Sequence, residues 1–433
     1  MMTHYDETLP KFAALVRDAL GVNELFDQVF LRDATGRLTY VVRSQLTPNA
    51  ANLIREGAEA LAPWVDPTTP LATPDDLFDP DLGGPEPGFP EFIVSESFTG
   101  YVRLVERRLV GQDWLRPPQD PVPGLPPIVV FASHKGGVGR STALAVSAAA
   151  LSHAGFNILV VDMDLEAPGL GSMLLADLPD YGTLDYFVET SVGDVDQNFV
   201  TGLVIASSLA EGGQIHVAPA VGRMSDANPQ NVLGKIARAY VERVDEDGRT
   251  ISFLDRTRAL VTRLCAANRY DAVFVDARAG LNEATAAAIL GLGAEILLFG
   301  VDTPQTFAGY RYFLAHLQRF RPEASGDNDW RYRLRMVQAR AQAGPTSEAT
   351  FRTHTFEMFS DTIYDEEEGI EEEAFNFDYD DVNAPHYAWP IADDANYAEF
   401  NPLIRGDQLA QHLYDRTFGR FISNLREKIG LTS

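Results

Sequence analysis

His134-Lys135-Gly136-Gly137-Val138-Gly139-Arg140-Ser141-Thr142 is the stretch that decides the fold. An apolar run, Ile128 to Phe131, precedes it, and an alanine-rich segment, Ala143 to Leu151, follows. Strand, glycine-rich turn and helix in that order are the context of a phosphate-binding loop. Glycine has no side chain, so backbone N–H groups of Gly136, Gly137, Val138, Gly139 and Arg140 can curl around phosphate oxygens. The helix start adds partial positive charge. The plain alternative is a glycine-rich turn that binds nothing. A dinucleotide-binding loop is excluded, because Thr142 occupies the position of its third glycine.

Two further segments point the same way. Asn157 to Val161 reads as a second strand, ending in Asp162-Met163-Asp164-Leu165-Glu166. Tyr270 to Val275 reads as a third, ending in Asp276-Ala277-Arg278-Ala279-Gly280. Carboxylates at the carboxyl ends of parallel strands point into the crevice where open α/β sheets bind ligands. A lone Asp after a strand is usually a helix cap, but three such signals in order argue for one site. Gly213 to Ala220, Ala294 to Gly300 and Leu334 to Val337 extend the strand series, and Phe253 to Asn268 reads as a helix. The expected fold is α/β, a mostly parallel sheet with helices on both faces, over residues 128–433.

The loop departs from the common phosphate-binding pattern, with His134 at the first glycine position and Arg140 in place of lysine. A second basic residue, Lys135, opens it. That upstream lysine resembles the deviant Walker A motif of the ParA/MinD-like P-loop ATPases, and the arginine is closest to their KGGVGR-motif variant subgroup. The resemblance implies ATP and Mg²⁺ as cofactors, a homodimer formed on ATP binding, and a cross-interface role for Lys135 at the partner's nucleotide. It implies that Asp164 orients the attacking water, that Asp162 supports Mg²⁺ or the loop, and that Asp276 holds Mg²⁺ through water. Ser141 would ligate Mg²⁺, Thr142 would reach the α-phosphate and Gly280 would lie near the γ-phosphate. Pro304, in Asp302-Thr303-Pro304-Gln305, falls where the family runs close to base or ribose. Relatives often place an asparagine near Gln338-Ala339-Arg340 to read adenine, and its absence here leaves base specificity open.

Arg140 supports two readings. A guanidinium is a planar fork, a lysine ammonium a point charge. The fork either replaces the lysine in a slow ATPase or marks a chain that holds nucleotide and hardly turns it over. Three function classes follow: an ATP-switched dimer that times a partner protein, a hydrolysis-poor nucleotide-binding scaffold or sensor, and a bacterial-type tyrosine kinase. The kinase is disfavoured because no membrane anchor precedes the domain and the last tyrosine is Tyr414. The subgroup is also similar to components of multi-gene bacterial systems, conflict and phage defence among them.

Residues 1–116 read as a small accessory α+β domain, followed by a proline-rich linker over 117–127. Thr8 to Leu20 and Ala50 to Leu61 have helical spacing, and Gln28 to Leu31, Leu38 to Val42, Phe92 to Val94 and Val102 to Val105 alternate as strands. Asp66 to Pro90 reads as a loop, and Trp114 as a residue that docks on the ATPase domain. The 433-residue chain is 45% apolar with a net charge of −27. That charge repels nucleic acid and disfavours non-specific DNA binding. One cysteine, Cys265, excludes a disulfide framework. No apolar window approaches about 18 residues and no signal pattern opens the chain, so a cytoplasmic protein is expected.

Arg311, Arg319, Arg321, Arg331, Arg333, Arg335 and Arg340 cluster in sequence, read as solvated helix and strand flanks or as a local basic strip. Asp361 to Asp381 carries eleven carboxylates and no basic residue, interleaved with Tyr364, Phe375, Phe377 and Tyr379. It reads as a solvated loop or as a docking segment for a basic protein partner, with the aromatics as anchors; the N-terminal domain is the other candidate partner surface. The amphipathic stretch Gly406 to Ile429 reads as core packing, with membrane attachment the less favoured alternative.

Overall fold

The computed structural model describes residues 3–21, 25, 27–322, 326, 328–365 and 374–431. The chain divides into two units, Met1–Leu115 and Arg116–Ser433. In the first, α1 (Tyr5–Leu20) and α2 (Pro48–Ala58) accompany five strands, β1 (Val29–Arg32), β2 (Leu38–Val41), β3 (Leu71–Ala72), β4 (Phe89–Val94) and β5 (Thr99–Glu106). Their order is β3-β2-β1-β5-β4, a mixed sheet. Phe12, Ala13 and Val16 of α1 recur at helical spacing and bury against Phe30, Tyr40 and Ile54. β3 lies inside the stretch read as loop. Two residues are too short to show an alternating pattern, yet they pair parallel with β2.

The second unit carries β6 (Ile128–Ser133), β7 (Ile158–Asp162), β8 (Ile205–Ala206), β9 (Ile215–Ala218), the ribbon β10 (Arg243–Val244) and β11 (Thr250–Ile251), β12 (Ala272–Asp276), β13 (Glu295–Gly300), β14 (Leu334–Ala341) and β15 (Trp389–Ala392). Eight strands form one sheet in the order β15-β14-β13-β6-β12-β7-β9-β8. Every neighbouring pair is parallel except the edge pair β8–β9. Continuous apolar runs such as Val129-Val130-Phe131 suit strands buried on both faces. On one face, Phe131 stacks among Phe274, Phe299 and Phe421 at centroid distances of 5.3, 5.8 and 6.4 Å. There α3 (Arg140–His153) and the C-terminal α13 (Gln411–Lys428) close the core. On the other, Ala132 and Leu298 meet Ile289 of α10 (Glu283–Gly291) and Phe313 of α11 (Pro304–Leu317). The apolar side of α13, Phe418, Phe421 and Leu425, is buried in that core, which is the core-packing role expected of this stretch. No helix among the described residues is long and apolar enough to cross a membrane.

β15 escaped the sequence reading because Pro390 cannot donate to a ladder. Its place at the sheet edge is where proline is tolerated. The proline-rich segment is tied along its own unit: Gln119 N donates to Leu290 O at 2.7 Å, and Arg258 donates to Asp120 O at 2.9 Å.

The arginine cluster is neither solvated nor a basic strip at its centre. Arg331 is buried, pairs with Asp329 at 2.7 Å and Asp365 at 2.6 Å, and lies over the Phe375 ring. Arg335 is buried, donating to the carbonyls of Asn383 and Ala384, and Arg333 donates to Gln119 O. Asp365 and Phe375, both within the acidic tract, exchange hydrogen bonds of 2.9 and 2.8 Å. Its centre, 366–373, lies outside the described residues. Tyr364 and Phe375, read as anchors for a partner, are buried within this chain.

Candidate functional site

β6 ends at Ser133 and α3 begins at Arg140, so six residues make the turn between them. Gly137 has φ +74° and Gly139, the N-cap of α3, has φ +85°. That left-handed region is costly for residues with a Cβ. A Cβ on Gly136, Gly137 or Gly139 would meet nothing within 4 Å, so the loop faces open space. No side chain caps α3, which leaves its first-turn N–H groups for a ligand. Val138 turns inward to the core. Gly280 N donates to Ser133 O at 2.9 Å, which holds the turn after β12 against the loop.

The carboxylates at the ends of β7 and β12 converge beneath this loop. Asp276 Oδ1 accepts from Arg140 Nε at 2.5 Å, and Asp276 Oδ2 accepts from the Ser141 hydroxyl at 2.6 Å. Arg140 also donates to Asp164 Oδ2 at 3.2 Å and to Ser133 Oγ at 3.3 Å. The fork of Arg140, expected at the phosphates, is here engaged below the loop by two buried carboxylates. A lone guanidinium in this position would be desolvated without compensation. Burial works against its charge, yet Asp276 and Asp164 hold its pKa above the ordinary value. Burial likewise pushes the Asp276 carboxyl up, more than Arg140 and Ser141 pull it down.

Asp162 closes β7. Its Oδ1 accepts from Asp164 N at 3.0 Å, and its Oδ2 accepts from Gly169 N and Leu170 N at 3.3 and 3.2 Å. Both oxygens accept from backbone N–H groups of the turn after β7. Burial, with Asp276 nearby, pushes its carboxyl up to about 7. For Mg²⁺ the donors that fit are the Ser141 hydroxyl and an Asp276 oxygen, since this ion takes hard oxygen ligands and leaves the rest to phosphates and water.

Around this centre, Glu166 pairs with Arg278, linking the turns after β7 and β12, and accepts from Tyr240 at 3.2 Å. Lys135 is exposed at the loop mouth. Pro304 lines a hollow with Phe307, Arg311 and His354. A cavity of about 350 Å³ continues from Val138, Gly139 and Thr142 toward Arg340, Asp393 and Tyr397. Sequence reading passed over Asp393 and Tyr397, because the only signal for them was their place just after β15, itself unread.

Residues 129–175 match the model of the CobQ/CobB/MinD/ParA nucleotide-binding domain. A ParA family ATPase from Chlorobium tepidum TLS is 17% identical, covering 68% of this chain and 98% of its own, with a TM-score of 0.41. The cell division ATPase MinD of Pyrococcus furiosus is 18% identical over 70% of this chain and 99% of its own, TM-score 0.42. Cobyrinic acid a,c-diamide synthase of Mycobacterium smegmatis, solved with bound ADP and magnesium, is 21% identical over 45% of this chain and 67% of its own, TM-score 0.31. No curated protein sequence matches the chain. The matched segment holds the loop, α3 and the Asp162–Asp164 turn, and is similar to the nucleotide-binding domain of that family.

Proposed function

We propose that this chain is a nucleotide-operated switch: it binds ATP with Mg²⁺ on the 134–142 loop, dimerises around it, hydrolyses it slowly and so times a protein partner. The observation that carries the reading is the junction beneath the loop. An uncapped helix start and an open glycine turn lie over a Ser141–Asp276 pair separated by 2.6 Å. Backbone N–H groups of Gly136 to Arg140 would bind the phosphate oxygens, and Thr142 would face the α-phosphate from the cavity side. Ser141 and Asp276 would hold the metal. Mg²⁺, when bound, neutralises charge on the β- and γ-phosphates. Lys135, exposed in one chain, would supply its cation to the partner's phosphates, so the two chains are held together only while triphosphate lies between them.

Asp164 is proposed to orient the attacking water. Its tie to Arg140 at 3.2 Å favours slow turnover, because the same oxygen must leave the guanidinium to reach a water. The same contact supports the second reading, a scaffold that holds nucleotide with negligible hydrolysis. Asp164→Asn separates them. Under the switch reading, phosphate release falls by about 100-fold or more while calorimetric ATP affinity stays close to wild type. A wild-type rate in the variant would reject the role of Asp164, and no release from wild type would favour the scaffold.

A further inference from the structure

We infer that Arg340, at the end of β14, is a phosphate-binding residue that supplies a cation in cis to the nucleoside di- or triphosphate on the loop. The inference rests on the nucleotide reading above and adds a residue outside its motif. The loop's own arginine is already committed. Moving Arg140 to a phosphate would leave Asp164 buried without its cation even with Mg²⁺ held at Asp276, an arrangement costlier than the paired one. Before a partner chain brings its own cation, a triphosphate on this loop carries more negative charge than one Mg²⁺ cancels, so a further cation of the same chain strengthens its binding.

Arg340 is placed to give it. β14 runs parallel to β13 and delivers Arg340 at the same end of the sheet as the loop. Its Nη2 donates to the carbonyl of Gly137 at 2.7 Å, and its side chain borders the cavity beside Gly139 and Thr142. The backbone is bent to achieve this. Arg340 has φ +52°, a region bulky residues rarely enter, and the β14–β15 register shifts between Gln338 and Ala341. Ala339 and Ala341 on either side are buried while Arg340 is exposed. Such outliers persist where the surroundings hold them and where the strain serves a site. A neutral carbonyl is a modest partner for a guanidinium, and anionic oxygens make the stronger bond. Arg340 therefore exchanges Gly137 O for phosphate oxygens at the cavity end of the loop when ligand arrives.

Calorimetry of the full-length protein with ATP and with inorganic tripolyphosphate tests this, using Arg340→Gly and Arg340→Lys. Glycine accepts the positive φ, so Arg340→Gly keeps or raises the melting temperature. It is expected to lower the affinity for both ligands by about 10-fold or more, with Arg340→Lys recovering part. The ratio of wild-type to variant affinity should shrink as salt is added, since a charge contact is screened; a ratio independent of salt would mean a purely structural role and overturn the inference. Loss of ATP affinity with tripolyphosphate unchanged would move Arg340 to the nucleoside half and also overturn it. If wild type binds ATP and Arg340→Gly binds it equally, this inference alone fails. If wild type binds neither ligand, the nucleotide reading fails first and takes this inference with it.

Discussion

Arg140→Met is expected to destabilise the protein by about 3–5 kcal/mol near neutral pH, and by clearly less in mild acid. Met matches much of the arginine's apolar length, so the lost quantity is chiefly charge. Asp276, Asp164 and Asp162 are all buried around that guanidinium, which bonds to the first two directly. Removing the cation leaves their negative charge uncompensated in a poorly solvated place. The sign of the pH effect follows from the titration of Asp276 and Asp162. Burial raises Asp276, and raises Asp162 to about 7, in the folded protein, whereas an unfolded aspartate titrates near about 3.9. The folded state thus holds protons more tightly across that window, and stability falls as pH climbs through it. Without Arg140 the Asp276 carboxyl rises further, so the variant's deficit widens from pH 5.5 to pH 8. Urea unfolding midpoints at the two pH values measure it. An equal deficit at both would mean that Arg140 does not neutralise these carboxylates.

Lys135→Ala is expected to act in the opposite manner, leaving the fold intact and removing the switch. Lys135 is exposed, and surface substitutions of this kind change stability by about 0.5 kcal/mol or less. If its ammonium serves a partner's phosphates, ATP-induced dimerisation is lost and turnover falls by about 10³–10⁵, the range for cations supplied in trans to P-loop enzymes. ATP affinity of the monomer should change much less. Sedimentation with and without ATP, beside a phosphate-release assay, reads both. Equal losses in monomer binding and dimerisation would place Lys135 on its own chain's nucleotide.

The loop, the three strands around it and the carboxylates at their ends were legible in sequence because each is a local signal: apolar runs, glycines, then Asp. The partner of Arg140 was not. A guanidinium after a glycine loop can reach phosphates above or carboxylates below, and the residues that decide, Asp164 and Asp276, lie 24 and 136 positions away. Arg331 and Arg335 were misread for the same reason. Sequence shows their charge but not the carboxylates and carbonyls folded around them. β15 and the cavity wall behind it were hidden by Pro390, which breaks the local strand signal while suiting an edge. For Asp162 the sequence left two tasks open, since only coordinates show its oxygens turned to backbone N–H groups.

Calorimetric titration of the wild-type chain with Mg²⁺ and ATP, repeated with GTP, tests the central claim most directly. Saturable heat with one nucleotide per chain, weakened when Mg²⁺ is chelated, is the predicted result. Absence of heat with either nucleotide would contradict a phosphate site on residues 134–142.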